Sequence, residues 1–391
     1  MRVLVVHNRY RSEMPSGENR VVDDEVEMLR EAGVEVETFF RDSDDLDELG
    51  ALRRPLLAVS PTYSASRVRD FKKTVARFQP SVVHLHNPFP LISPAIIRPA
   101  KSAGAAVVQT VHNYRHSCVA GTHFRDSAIC ELCPSHSVPW PSVLHGCYRG
   151  SRAQSAAMAT SAMVHRSTWR LVDLFIAVSE RVATKLNEHA GVPSEKIVIK
   201  ANSVRDPGST NDPGDTILFA ARLEEAKGVR LLLDAWNQVH SGLELALVVA
   251  GDGPLQNEVS TAARTGTFRY LGPCGPAEMN TLLRQSRAVC VPSLWYEGLP
   301  TIALEAFAHG RGVITTNLGA LSCAAYEDAV WSAEASTEAL GQALCQTAAV
   351  DETSRKGRAA RALYLQRFAP EVVSTQLRQL YHRVSLEGSS A

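Results

Sequence analysis

The residues with the clearest chemical potential form a segment that combines two carboxylates with a predicted helix start. The segment Glu297-Gly-Leu-Pro-Thr-Ile-Ala-Leu-Glu305 follows the apolar run Ala288–Pro292, which predicts a strand. Carboxylates accept strongly from hydroxyl groups, so Glu297 and Glu305 suit the hydroxyls of a sugar and a ribose. A proline favours the first helical turn, and amides there can bind an anion such as pyrophosphate. The candidate anion-binding residues are Gly298, Leu299, Pro300 and Thr301.

Two other segments place cations and glycines directly after predicted strands. Arg222 and Lys227 lie in Phe219-Ala-Ala-Arg222-Leu-Glu-Glu-Ala-Lys227-Gly228, where they could hold phosphate charge without a metal. Gly251 and Gly253 form a turn between a strand and a helix. Each feature alone could also have no binding role. Loop cations and helix carboxylates are mostly solvated, and most G-x-G turns are only tight connections between elements. Their order along one chain is more specific than any single feature.

Elements that could position these segments alternate along the whole chain. Apolar runs at Val3–Val6, Val82–Leu85 and Ala106–Val111 alternate with helical patterns, and the alternation restarts at Thr216–Ala220 after a linker rich in proline and glycine. This pattern predicts an α/β protein with two Rossmann-like βαβ domains facing each other across a cleft. The predicted boundaries are 1–200, 201–370, and a last helix over 371–391 that returns to the first domain.

Length and composition limit the classes of protein that remain. The chain has 391 residues, 45% of them hydrophobic, and 41 basic side chains balance 41 acidic ones. Two domains can therefore bury proper cores, and the absence of a basic excess argues against a dedicated nucleic-acid binder. The first apolar run is too short for a secretory signal, and no run reaches the length of a membrane span. We therefore expect a cytoplasmic protein.

Taken together, the motifs resemble the donor-binding half of the retaining GT-B glycosyltransferases of the family 4 type. The resemblance spans nearly the whole chain and includes Val111-His112-Asn113 in the first half. It implies an enzyme, a hexosyltransferase of class EC 2.4, that moves a sugar from a nucleoside-diphosphate sugar of the UDP or GDP type. The implied acceptor is a hydroxyl group on a polysaccharide or glycolipid intermediate or on a small molecule, and no catalytic metal is implied.

The resemblance also implies roles for individual residues. Arg222 and Lys227 would stabilise the leaving diphosphate, Glu305 would bind the ribose, and Glu297 and His112 would contact the donor sugar. A buried structural histidine is the alternative for His112. Gly17 would lie in the first glycine-rich loop, where relatives often have two glycines and this chain has Ser16-Gly17. A Pro-Glu pair common in relatives is replaced by Ser322-Cys323, which affects the expected choice of sugar.

An irregular insertion over 113–150 follows His112 and carries four of the eight cysteines. The pair Cys130-x2-Cys133 suits a tetrahedral zinc, with Cys118 and Cys147 as further ligands. Structural zinc is the preferred interpretation, while free thiols and disulfides stay open. We expect the insertion to shape an acceptor pocket near Gly17 and Arg115.

Several alternatives remain open at this stage. The basic segment from Arg67 to Phe78 could rest on the inner face of a membrane, although an ordinary amphipathic helix packed on the sheet is favoured. A nucleotide-sugar epimerase or a phosphorylase is the nearest alternative function. An NAD-dependent oxidoreductase fits less well, because the first strand lacks a G-x-G-x-x-G turn. A non-catalytic scaffold also fits less well, because it would not need the set Arg222, Lys227, Glu297 and Glu305.

Overall fold

The computed structural model describes residues 1–12, 17–46, 60–209, 212 and 214–388. These divide into two compact units. Unit 1 comprises residues within Met1–His123, Cys130–Ala201 and Val373–Ala391, and unit 2 comprises Phe124–Ile129 and Asn202–Val372. Ser16 of the predicted glycine turn and parts of the predicted linker lie outside the described residues. No helix of the described chain is both long enough and apolar enough to cross a membrane.

Unit 1 contains a six-stranded parallel sheet in the order β2-β1-β3-β4-β7-β8. Its strands are β1 (Arg2–Arg9), β2 (Glu35–Asp42), β3 (Val82–Leu85), β4 (Ala106–Val111), β7 (Leu174–Ala177) and β8 (Ile197–Ile199). Its helices are α1 (Gly17–Glu31), α2 (Ala65–Phe78), α3 (Ile97–Ser102), α4 (Trp140–Leu144), α5 (Arg152–Val164), α6 (Arg166–Trp169) and α7 (Glu180–Glu188). A short hairpin, β5 (Phe124–Arg125) and β6 (Ala128–Ile129), lies within the insertion in sequence but is grouped with unit 2. Strand order reverses between β1 and β3, which is where open α/β sheets bind ligands.

Unit 2 contains a second six-stranded parallel sheet in the order β11-β10-β9-β12-β13-β14. Its strands are β9 (Thr216–Ala220), β10 (Ala246–Ala250), β11 (Arg269–Gly272), β12 (Ser286–Val291), β13 (Gly312–Thr316) and β14 (Val330–Ala333). Its helices are α8 (Val229–Val239), α9 (Gln256–Ala262), α10 (Pro276–Gln285), α11 (Thr301–Ala308), α12 (Thr337–Gln346) and α13 (Val350–Arg367). Here the strand order reverses between β9 and β12. The prediction of two parallel Rossmann-like sheets is confirmed.

The last helix, α14 (Pro370–Gly388), packs mainly on unit 1. Its residues Val373, Leu377 and Tyr381 are buried in the same apolar cluster as Val3 and Val108 of the unit 1 sheet. Their spacing of four residues places them on one face of the helix. The final helix and the first strand of the chain therefore belong to the same apolar core.

The basic segment considered as a membrane contact forms helix α2. Its apolar residues Val68, Phe71 and Val75 are all buried, and the Phe71 ring packs edge-on against Phe39 of β2 at 5.4 Å. These side chains therefore stabilise unit 1 by apolar burial, while the lysines Lys72 and Lys73 face outward. The packing interpretation of this helix fits the structure.

Candidate functional site

Three loops meet at the carboxyl edge of the unit 2 sheet, beside its point of strand reversal. The loop after β9 bonds to the loop after β10 through Leu223 N–H to Asp252 O, 2.5 Å, and Leu255 N–H to Leu223 O, 2.9 Å. It bonds to the loop after β12 through Leu294 N–H to Ala226 O, 2.8 Å. The structure thus brings together the segments that carry Arg222 and Lys227, Gly251 and Gly253, and Glu297.

Two glycines allow this close approach. Gly228 has φ +72°, and a Cβ there would lie 1.8 Å from Pro292 O. Gly251 has φ +128°, and a Cβ there would lie 2.0 Å from Ala221 O. Both separations are far below van der Waals contact, and both backbone conformations disfavour side chains. These glycines are therefore required by the packing of the loops, whatever the loops bind.

Gly251→Ala should destabilise unit 2 and weaken ligand binding at this edge. The added methyl must displace the Ala221 carbonyl in a conformation unfavourable for alanine, which we expect to cost roughly 2–4 kcal/mol. Chemical denaturation followed by circular dichroism measures the change. Gly242→Ala is the matched control, because a Cβ at Gly242 meets no atom within 4 Å. Equal stability of the two variants would contradict the assigned role of Gly251.

Lys227 and Glu297 form the central ion pair of this edge. Lys227 Nζ donates to Glu297 Oε1 at 2.6 Å, and Ser293 Oγ donates to the same oxygen at 2.8 Å. The ammonium also lies 4.8 Å from the centre of the Trp295 ring. Glu297 is 7% exposed, and both of these donors bond its Oε1. A cation and a carboxylate are thereby fixed next to each other where a ligand would bind.

The pKa of Glu297 indicates that this carboxylate is ionised at neutral pH. Burial alone would raise that pKa, but the charge of Lys227 and the hydrogen bonds from Lys227, Trp295 and Ser293 outweigh burial and lower it below the usual range. Glu297 is thus an acceptor for hydroxyl groups and not a proton donor.

The remaining predicted donor-site residues belong to the loops after β9, β10 and β12 and to helix α11. Arg222 Nε is 3.3 Å from Glu224 Oε2, and both side chains are more than a third exposed. Glu305 is half-buried on α11. Helix α11 begins at Thr301, and Pro300 precedes it with extended backbone (φ −70°, ψ 128°), one residue outside the expected helical turn. Gly298 and Leu299 connect this helix start to Glu297, so the predicted order of carboxylate, amides and helix is retained.

In unit 1, His112 lies immediately after β4 and stacks on His86, which follows β3. The rings are 5.3 Å apart at an angle of 16°, and His112 Nε2 lies 3.0 Å from His86 Nδ1. Burial, followed by the charge of His86, holds the pKa of His112 well below its usual range. His112 is therefore neutral at pH 7, and one of its ring nitrogens can accept a hydrogen bond.

A buried carboxylate, Glu25 of α1, lies at the centre of a network behind His112. Its Oε1 is 3.2 Å from both His84 Nδ1 and His86 Nε2, and its Oε2 is 3.3 Å from Lys200 Nζ. Tyr381 of α14 reaches His84 Nδ1 at 2.6 Å. Burial opposes ionisation of Glu25, but Lys200 and His84 outweigh it and keep its pKa well below the usual range. His84, whose pKa burial lowers to about 4, is neutral at pH 7.

The close approach of Glu25, His84 and His86 is compatible in distance with metal ligation. The Lys200 ammonium bound to the same carboxylate already supplies the positive charge that this buried site needs. A second group, His123, Glu131 and His189, is similarly compact, but Lys185 Nζ occupies Glu131 Oε1 at 2.6 Å. Salt bridges therefore account for both groups.

A cavity of about 550 Å³ lies within unit 1 between the end of β4 and the insertion. Its walls include His112, Arg115 and Glu18, and Cys118, Cys133 and His136 from the insertion. Gly17, at the start of α1, is exposed and precedes Glu18 directly. A cavity of this size suits a small molecule or part of a larger one.

The four insertion cysteines are half-buried and lie near one another. Burial, together with the Cys118, Cys147 and Cys130 thiols, raises the pKa of Cys133 to about 11. Among the groups of residues compact enough to hold a metal in the described chain, none contains three of these cysteines.

Sequence reasoning missed Glu25, His86, Lys200, Ser293 and Glu18, all of which contact or support predicted residues. The sequence does carry a signal for His86 and for Glu25. His84 and His86 are two residues apart at the end of a strand and so share one face of the sheet. Glu25 lies three residues after Val22 and four before Leu29, on the apolar side of its helix.

Comparison with known proteins agrees with this arrangement. Residues 15–205 match the family described as Glycosyltransferase Family 4, and residues 214–349 match Glycosyl transferases group 1. Over 269 residues the chain is 28% identical to glycogen synthase of Mycobacterium tuberculosis, a match that spans 64% of each chain. Sucrose-phosphate synthase from Thermosynechococcus elongatus has a similar structure, with a TM-score of 0.70 and 17% identity over 98% of both chains. The structure of Anabaena HepE in complex with UDP is also similar, with a TM-score of 0.63 and 15% sequence identity over 98% of this chain and 100% of HepE.

Proposed function

Because this chain belongs to glycosyltransferase family 4, we propose that it transfers a sugar from a UDP-sugar to a hydroxyl acceptor with retention of configuration. The Lys227–Glu297 ion pair at the strand reversal of unit 2 is the observation that carries this proposal. It joins a fixed positive charge, suited to a diphosphate, to a carboxylate that accepts from sugar hydroxyls. UDP is the preferred nucleotide because HepE, which has the same fold, binds it.

The proposed chemistry depends on charge stabilisation. Breaking the glycosidic bond leaves negative charge on the departing diphosphate and positive charge on the sugar. Lys227, Arg222 and the amides between Glu297 and α11 would stabilise the growing phosphate charge, and their prior fixation means that little reorganisation is needed at the moment of reaction. Glu305 would bind the ribose, and Glu297 would hold the sugar. His112, neutral and acceptor-competent, would accept from a hydroxyl of the donor sugar.

Nucleotide binding tests the proposal directly. Purified protein is titrated with UDP, GDP, ADP, TDP and NAD, and the melting temperature is recorded. UDP should raise it most, by the amount that ligand linkage gives for a specific site. Release of UDP from a panel of UDP-sugars then identifies the sugar. Stabilisation by GDP alone would show that the donor nucleotide is GDP and not UDP. Stabilisation by NAD alone would contradict the glycosyltransferase function.

We also propose a structural zinc bound by Cys118, Cys130, Cys133 and Cys147. Cys118 and Cys133 line the same cavity, and the Cys118, Cys147 and Cys130 thiols each contribute to the raised pKa of Cys133, which supports the grouping. Zinc would favour the thiolates and draw the sulfurs together. Cys130→Ser should abolish bound zinc and lower the melting temperature by several degrees, whereas Cys345→Ser, an exposed cysteine of α12, should change neither. Wild-type protein that carries no zinc after purification in zinc-supplemented medium would contradict this proposal.

A further inference from the structure

One wall of the unit 1 cavity carries a group of cations. Arg166, Arg170 and Lys196 all line the cavity beside Trp169. Arg166 begins the short helix α6, and Arg170 follows it with helical backbone (φ −64°, ψ −21°). Side chains four residues apart on helical backbone are neighbours, and like charges at this spacing repel. Both arginines are exposed at the cavity, and their helical spacing places them on the same face of this turn.

Lys196 adds a third positive charge at the same place. Its Nζ donates to Arg170 O at 3.0 Å and to Val172 O at 2.8 Å, which fixes the ammonium beside the Arg170 backbone. An ammonium has three N–H donors, so one remains for another acceptor. Arg166 donates to Ser137 O of the insertion, which is also an uncharged acceptor.

The neighbouring carboxylates do not pair with these cations. Asp173, the acid closest in sequence to the two arginines, accepts from Lys101 Nζ at 2.8 Å and from the Val107 amide at 2.7 Å, and Glu195, next to Lys196, is exposed. Of the two glutamates that line the cavity, Glu18 interacts with Arg115, and Glu188 is exposed on α7. In the described part of the chain, no carboxylate forms an ion pair with Arg166, Arg170 or Lys196.

His116, which packs on Trp169 at this wall, is neutral. Burial lowers the pKa of His116 to about 4, so its ring carries no charge at pH 7. It is held by Gln109 Oε1 at 3.1 Å and packs edge-on against Trp169 with ring centres 4.7 Å apart. The positive charge of the wall therefore comes from the two arginines and the lysine.

We propose that this wall binds the phosphate group of the acceptor. Guanidinium groups match the geometry of phosphate oxygens, and the bound anion would relieve the repulsion between the two arginines. The inference rests on the proposed function, since it assigns the acceptor of that transfer to this cavity. His112 lines the same cavity, so the acceptor would extend from the cationic wall toward the residue proposed to contact the donor sugar.

The phosphate could belong to a soluble molecule or to a lipid. The insertion, which supplies His136 and Pro139 to the cavity, also exposes four large apolar side chains. Leu132, Val138, Trp140 and Leu144 are 45%, 43%, 51% and 51% exposed. Such residues next to a phosphate-binding wall suit a lipid phosphate as well as a soluble one, so the test includes both sources.

The test measures phosphate binding with the donor site filled. Wild-type protein saturated with UDP is titrated with glycerol 1-phosphate, and separately with phosphatidylcholine vesicles that contain or lack phosphatidic acid. The double variant R166Q/R170Q should weaken binding of the phosphate probe by about tenfold or more, because it removes two charge-assisted donors. R69Q is the matched control, since Arg69 is an exposed arginine of α2 that does not line the cavity.

Each outcome decides the proposal. Loss of glycerol 1-phosphate binding in the double variant supports a soluble phosphate acceptor, and loss confined to phosphatidic acid vesicles supports a lipid one. The proposal is overturned if wild-type protein binds neither probe, if the double variant binds as wild type does, or if R69Q weakens binding equally. The rise in melting temperature with UDP is recorded for each protein. Its absence in wild type would contradict the donor function, independently of the phosphate result.

Discussion

Lys227→Met should reduce transfer from the UDP-sugar by roughly a thousandfold, as expected when a group that stabilises transition-state charge is removed. Lys227 is the only cation that donates to Glu297 among the described residues, and methionine keeps most of its length without its charge. The loss should appear mainly in kcat, because diphosphate charge grows as the glycosidic bond breaks. Steady-state kinetics of UDP release measures it.

The single variant also leaves Glu297 buried without its counter-ion, which by itself would lower stability by roughly 3 kcal/mol. The double variant Lys227→Met/Glu297→Gln separates the two effects. Removing both charges should restore most of the stability, while transfer stays low because the cation is still missing and the carboxylate proposed to hold the sugar is also replaced. Lys72→Met, an exposed lysine on α2, controls for loss of charge alone. Recovery of transfer in the double variant would show that Lys227 acts only by maintaining the fold.

Sequence reasoning selected the segments that meet at the carboxyl edge of the unit 2 sheet because each of these segments is contiguous. Each segment directly follows a strand, and parallel strands end at the same edge of a sheet, so the segments had to meet. The pairing of Lys227 with Glu297 was not predicted, although both residues were. It depends on the loop geometry that Gly228 and Gly251 permit, and a spacing of 70 residues carries no distance information.

The network behind His112 shows the opposite case. Glu25, His86, Lys200 and Tyr381 come from four distant parts of the chain, and the helix that supplies Tyr381 is the last one. Only the packing of α1 and α14 on the same sheet brings these groups together. Sequence periodicity indicates which helix faces are buried, but not which polar residue on one buried face meets which residue on another. Partners of this kind therefore require the three-dimensional structure.

Glu25→Gln should lower the free energy of unfolding of unit 1 by roughly 3–5 kcal/mol, because it leaves a buried ammonium without its counter-ion. Lys200 is 2% exposed and Glu25 is 5% exposed, so water cannot replace the lost charge easily. Amide hydrogen exchange of β3 and β4 measures the change within unit 1. The double variant Glu25→Gln/Lys200→Met should recover part of the loss, and Glu31→Gln, at the exposed end of the same helix, should be nearly silent.

The pH dependence of exchange gives an independent check. The pKa of Glu25 in the folded chain lies below that of an unfolded glutamate, about 4.3, so the unfolded state binds more protons as the pH falls through this range. Its stabilisation is therefore complete at neutral pH and is lost on acidification. His84 acts in the same direction from about pH 6.5 down to its folded pKa of about 4, because unfolding exposes it to protonation. The wild-type protein should lose protection from amide exchange across both pH ranges. Glu25→Gln should lose less protection than wild type in the lower pH range. An identical acid profile for the two proteins would show that Glu25 is not ionised in the folded chain.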